Sequence, residues 1–140
     1  MSEQETTFEL HPQLAQDSLY LTDWPLSQVR VVDDNQYPWF ILVPRYNGIS
    51  EIIDLSEQDQ QQLWHESAFL SYWLQAEYRP NKLNVAALGN EVPQLHMHHI
   101  ARFKDDVAWP APVWSAAAPR QALSETEVLR LRDIFKQLSL

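Results

Sequence analysis

The sequence predicts an α+β fold, with an antiparallel sheet and helices packed on one face. Three observations point there. Short β-branched or apolar runs of strand length alternate with two long, capped helical stretches in the order β-β-α-β-β-α. The two glycines, Gly48 and Gly89, stand far apart, so neither the Gly-rich dinucleotide fingerprint nor the P-loop of doubly wound folds can be written. The chain has 140 residues, 45% of them hydrophobic, which makes one domain, 1–140, with enough apolar material for a core of its own.

The elements follow from the N-terminus. Residues 1–7 are polar and acidic and are expected to fray. Residues 8–23 form a short helical or extended lead-in. Residues 28–33 read as a β-branched strand closed by the turn-forming Asp34-Asn35, and residues 39–43 as a continuous apolar strand stopped by Pro44. The short connection between them contains Asp, Asn and Pro and makes the pair an antiparallel hairpin. Ser56, followed by Glu57 and Asp59, caps a long helix. Its Leu63, Ser67, Leu70, Leu74 and Tyr78 recur at spacings of three and four, and Pro80-Asn81 ends it. Residues 82–88 read as a strand, Gly89-Asn90 as a turn and residues 94–103 as another strand. Residues 110–119 are rich in Pro and Ala and are expected to be irregular. Ser124, with Glu127 three residues on, caps a last helix over residues 125–138.

Composition excludes several function classes. Nineteen acidic residues stand against 10 basic ones, a net charge of −9, which opposes binding to nucleic acid or anionic membranes. Without cysteine there is no disulfide, no thiolate zinc site and no thiol nucleophile. The N-terminus has no cationic, then apolar leader, and no apolar run approaches the roughly 20 residues of a membrane span. A soluble, cytoplasmic protein is expected.

The chemistry is concentrated in Gln94-Leu95-His96-Met97-His98-His99-Ile100. On a strand, alternation places Gln94, His96 and His98 on one face, roughly 6.6–7 Å apart in succession, with Leu95, Met97 and His99 on the other. Two imidazoles and an amide in one stripe suit neither a core nor an ordinary solvent face. His99 falls where an apolar residue is expected and reads as a hydrogen-bonded core or interface histidine. His11 and His65 are isolated and are given no role. Two chemistries use a His-x-His stripe. Both imidazoles can ligate a divalent ion completed by a carboxylate, for which Glu91 and Asp105 are the nearest acids. Alternatively a neutral imidazole attacks phosphorus, since an ordinary histidine pKa of about 6.5 leaves much of the ring uncharged at pH 7.

The segment resembles the histidine triad motif, His-φ-His-φ-His-φ-φ with φ apolar. The resemblance extends over residues 8–105: Trp39-Phe40-Ile41-Leu42-Val43-Pro44-Arg45, the helix after it, Leu83-Asn84-Val85-Ala86-Ala87 and Ile100-Ala101-Arg102 all stand in the family's order. Residues 106–140 lie outside it. The resemblance to the histidine triad (HIT) family implies a five-stranded antiparallel sheet with a long helix and a C-terminal helix, and a homodimer. It also implies hydrolysis or transfer of nucleotidyl groups from phosphoramidates or dinucleoside polyphosphates, without metal or cofactor. By position, His96 would be the nucleophile on the α-phosphorus and His98 would contact the phosphate oxygens. Gln94 stands where the first histidine belongs, and its backbone carbonyl would orient the His96 ring.

The expectations for Asp33, Asp34, Trp39 and Asn90 also follow from the resemblance, and that for Arg102 from its nearness in sequence to the triad. Asp33 or Asp34 is placed for ribose hydroxyls. Trp39 falls at the position of a further histidine and is expected to line the nucleotide pocket. Asn90 lies in the segment that should face phosphate. Arg102, ahead of Arg45 and Lys104, is a candidate to neutralise it. That phosphate-facing segment holds one glycine and the anionic Glu91, so fewer backbone N–H groups can meet an anion. Two other readings therefore stand beside the enzyme: a non-catalytic nucleotide-binding or interaction module, and a metal-dependent hydrolase using His96 and His98.

Overall fold

The computed structural model describes residues 7–116 and 118–140. In chain order they form α1 (Pro12–Asp17), β1 (Ser18–Asp23), β2 (Ser27–Val32), β3 (Trp39–Pro44), α2 (Glu57–Tyr78), β4 (Lys82–Ala86), β5 (Met97–Arg102) and α3 (Glu125–Gln137), with short 3-10 turns at Ile52–Asp54 and Val113–Ser115. The strands make one five-stranded sheet, ordered β1-β2-β3-β5-β4, with every neighbouring pair antiparallel. No helix among the described residues is long and apolar enough to cross a membrane.

Both long helices begin at their expected caps. Ser56 Oγ accepts from the Asp59 amide and Ser124 Oγ from the Glu127 amide, each at 3.1 Å. Arg79, in the left-handed conformation, closes α2 immediately before Pro80. The undecided lead-in resolves into both options, a one-turn helix and the edge strand β1. The expected fraying of residues 1–6 lies outside the described residues, while the Thr7 carbonyl accepts from Asn47 Nδ2 at 2.9 Å.

Helices α2 and α3 cover one face. Leu63, Leu70 and Leu74 of α2, with Leu131 and Phe135 of α3, close over Val29, Val31, Phe40, Leu42 and Met97 of the sheet. Glu66 on α2 is fully buried. Its carboxylate accepts from the amides of Leu26 and Ser27 at 2.7 and 3.1 Å and from Gln62 Nε2, which pins the helix to the start of β2. On the opposite face, α1 delivers Leu14 onto Val32, Ile41 and Val43. Trp39 and His98 lie on that second face, because Ile41 pairs with His98 and Trp39 with Ile100.

One expected element is shorter than its pattern. The last strand begins at Met97, so Gln94, Leu95 and His96 precede it. β3 ends at Pro44, which has no N–H to extend the ladder, and the Leu95 amide bonds instead to the Ile49 carbonyl at 2.8 Å. β4 ends at Ala86, opposite His98, so Ala87 and Leu88 join the loop that carries Gly89.

Candidate active site

The His96 and His98 rings meet edge to face, with centroids 4.8 Å apart. His96 Nδ1 lies 2.8 Å from the Gln94 carbonyl. A carbonyl only accepts, so Nδ1 carries the proton of the neutral ring and Nε2 carries the lone pair. The Gln94 side chain points elsewhere: its Oε1 accepts from the His11 amide at 2.8 Å and its Nε2 donates to the Glu9 carbonyl at 3.0 Å. Gln94 thus serves His96 through its backbone and ties down the N-terminal segment through its side chain. His98 Nδ1 accepts from the Trp39 indole at 3.0 Å. Neither Nε2 has a partner among the described residues.

Both rings border a cleft of about 420 Å³, together with Trp39, Trp114 and the loop Gly89, Asn90, Glu91 and Val92. Gly89 adopts φ +73°, a conformation open to glycine at little cost, and so turns this loop over the histidines. Burial lowers the His96 pKa below its ordinary value, opposed by the Gln94 carbonyl and assisted by His11. Burial, with the charges of His96 and His99, pushes His98 down to about 3. Both imidazoles are therefore neutral at pH 7. A smaller cavity of about 150 Å³ on the α1 side of the pair is bordered by Leu14, Asp17, Val32 and Arg120.

The other predicted residues divide. Asn90 and Trp39 border the cleft. Asp33 and Asp34 do not: Asp33 Oδ1 accepts from the Leu123 amide at 2.9 Å, and Asp34 is a buried turn residue that accepts from the Gln36 amide at 3.0 Å. Arg102 requires correction. It is 1% exposed and forms a bidentate pair with Asp106, with N···O distances of 2.8 and 3.0 Å, while its remaining N–H groups reach Asn84 Oδ1 and the Ala111 carbonyl. Two residues beyond Ile100 on the same face, it holds the turn after β5 and is not placed to meet phosphate. Arg45 is likewise occupied by the Trp24 and Pro25 carbonyls.

His99 is fully buried on the helix face. Its Nδ1–H donates to the Met97 carbonyl at 3.1 Å, and its Nε2 accepts from the Ser67 hydroxyl at 2.7 Å. Of the two expected places for a hydrogen-bonded His99, core or interface, it occupies the core. Two residues that sequence reasoning did not assign to the site also border it. Trp114, whose ring lies 5.5 Å from His98, and Arg120 both come from the segment after β5. Neither carries a local signal, because the chain reaches the histidines only by folding back over the sheet. Among the described residues no group of three His, Cys, Asp or Glu is gathered where a metal ion would sit.

The cleft thus holds a neutral imidazole lone pair beside an imidazole N–H donor, on a five-stranded antiparallel sheet. The HIT domain family model matches residues 13–105, and the chain belongs to that family. Solved structures agree over 94% of the chain. It is similar to a histidine triad protein of Bradyrhizobium japonicum (44% identity, 98% of that chain, TM-score 0.89) and to one of Marinobacter aquaeolei VT8 (43%, 95%, 0.88). A third, from Sinorhizobium meliloti 1021, shares 34% identity over 96% of its chain, with a TM-score of 0.88. None of the curated proteins compared with the chain matches it. Membership of the HIT family points to nucleotide hydrolase or transferase chemistry.

Proposed function

We propose that this protein is a cytoplasmic, metal-independent nucleotidyl hydrolase or transferase, acting on nucleoside phosphoramidates or dinucleoside polyphosphates through a covalent nucleotidyl-His96 intermediate. The observation that carries the reading is the proton placement at His96. With Nδ1–H donated to the Gln94 carbonyl, the lone pair on Nε2 is free at the cleft. That lone pair forms a bond to the α-phosphorus as the bond to the leaving group breaks, its electrons departing with the leaving group, which takes a proton from solvent. The positive charge that develops on the ring is held by the Gln94 carbonyl. The His98 N–H donates to a phosphate oxygen as its negative charge grows. Water then attacks the phosphorus and gives up a proton to solvent, the N–P bond breaks and the His96 lone pair returns. Gln94 supports this chemistry without an imidazole because the reaction uses its carbonyl. Asn90 and the Gly89 loop border the side from which phosphate would approach.

The family match ends at residue 105, yet α3 completes the same core, which supports reading 1–140 as one HIT-like domain. A homodimer is part of the proposal. Trp64 and Tyr72 on α2 are 55% and 74% exposed, an apolar surface suited to a second copy. Sedimentation should give twice the monomer mass, and a concentration-independent monomer would remove that part.

The deciding experiment is phosphorus NMR of adenosine phosphoramidate and diadenosine polyphosphates with EDTA present. Wild type should turn over and His96→Ala should not, while its circular dichroism stays unchanged. Nucleotide binding without turnover would replace the enzyme by a binding module. Turnover that appears only on adding zinc or manganese would replace it by a metal hydrolase.

A further inference from the structure

We infer that Trp39 is a positioning residue for His98: its indole N–H, donated to Nδ1, holds the His98 proton on Nε2, where it faces the cleft beside the His96 lone pair. The inference deepens the proposed reaction and rests on it for its catalytic consequence. The proton assignment itself rests on geometry alone.

An indole nitrogen has one hydrogen and no lone pair to offer, so at 3.0 Å from His98 Nδ1 it can only be the donor. Nδ1 must then be the acceptor, and the single N–H of the neutral ring falls on Nε2. At His96 the partner is a carbonyl, which can only accept, and the assignment reverses. Two rings 4.8 Å apart are thereby set in opposite tautomers, one presenting a lone pair and the other a proton. Were both set alike, the cleft would hold two nucleophiles and no donor, or two donors and no nucleophile.

The contact is directional rather than a stacking interaction. The Trp39 and His98 rings are tilted by 51° with centroids 5.8 Å apart. The indole is itself held. Tyr37 packs its edge against Trp39 at 6.2 Å, and the Arg102 guanidinium, fixed by Asp106, lies 5.7 Å from the centre of the Tyr37 ring. The sheet register places the pair on one face of adjacent strands. A cationic His98 would carry hydrogens on both nitrogens and set Nδ1–H against the indole N–H. The donor therefore also favours the neutral ring, in line with the lowered pKa of His98.

The test begins on the wild-type protein with imidazole nitrogen NMR at pH 7. His98 should show a proton-free Nδ1 and a protonated Nε2, with a through-hydrogen-bond nitrogen–nitrogen coupling between Trp39 Nε1 and His98 Nδ1. A protonated Nδ1 would overturn the inference without any variant being made. Trp39→Phe keeps an aromatic ring and removes the donor. It should leave His98 as a mixture of tautomers and lower kcat by about 10- to 100-fold, less than the ~10⁴-fold cost of a wholly wrong tautomer, with little change in KM. It should also introduce a new acid limb in the kcat profile. An unchanged His98 tautomer and unchanged kcat in Trp39→Phe would overturn the positioning role. If wild type shows the coupling but turns over no nucleotide, the proposed reaction fails and the tautomer assignment stands.

Discussion

Individual imidazoles set the behaviour of this molecule with pH. Burial lowers the pKa of His96, His98 and His99 alike, His98 to about 3 and His99 to about 4. The unfolded chain takes up these protons near the ordinary histidine pKa of about 6.5, and the folded chain does not. Their contribution to stability is thus whole above about 6.5 and is lost as pH falls, with a slope of about 1.4 kcal/mol per pH unit for each of His98 and His99 until their folded values are reached. The urea midpoint should be lower at pH 5 than at pH 7, and an equal or higher midpoint at pH 5 would contradict the assignment. The same burial keeps the His96 nucleophile unprotonated into mild acid. The acid limb of kcat/KM should accordingly fall below pH 6.5, which a pH–rate profile with stable substrate reads directly.

At the scale of the elements, two buried carboxylates connect pieces whose positions the site depends on. Glu66 satisfies the amides of Leu26 and Ser27 from within α2. Glu66→Ala leaves two buried N–H groups without a partner and should cost about 2–5 kcal/mol by thermal denaturation. Asp106 closes the turn after β5. Burial would raise its pKa, but the Arg102 guanidinium and the amides of Phe103 and Trp109 outweigh it and hold the carboxyl at about 2. Removing it strands the Arg102 charge in the interior, so Asp106→Ala should lose about 3–5 kcal/mol. Because Arg102 lies behind Tyr37 and Trp39, the same variant should broaden the Trp39 indole resonance. A sharp, unshifted indole signal would separate Arg102 from the site.

For the whole molecule, the segment beyond the family-matched residues 13–105 is part of both the site and the core. It first crosses the histidine face, setting Trp114 beside His98, and then returns to the helix face as α3. Phe135 there is fully buried among Trp24, Phe40 and Trp73. Phe135→Ala should cost about 3–5 kcal/mol, as large-to-small changes in a packed aromatic core do. A loss under 1 kcal/mol would mean that α3 is an appendage.

What depends on near neighbours along the chain is legible in the residues alone. The Ser56 and Ser124 caps, the apolar runs of β2 and β3, and the opposite facing of His98 and His99 all follow from local periods and local hydrogen bonds. So does the presence of a carbonyl at position 94 for the His96 ring, since every residue there supplies one. The lead-in was ambiguous because one turn of helix and one edge strand are each too short to show a period. Three outcomes exist only in the folded chain: the donor that meets His98 Nδ1, the facing of Arg102 toward Asp106, and the arrival of Trp114 and Arg120 at the histidines. Those outcomes depend on which donors and acceptors meet across strands and returning loops. A hydrogen bond or buried ion pair is set by a few tenths of an ångström between groups distant in sequence, and that proximity exists only once the sheet and its covering segment have formed.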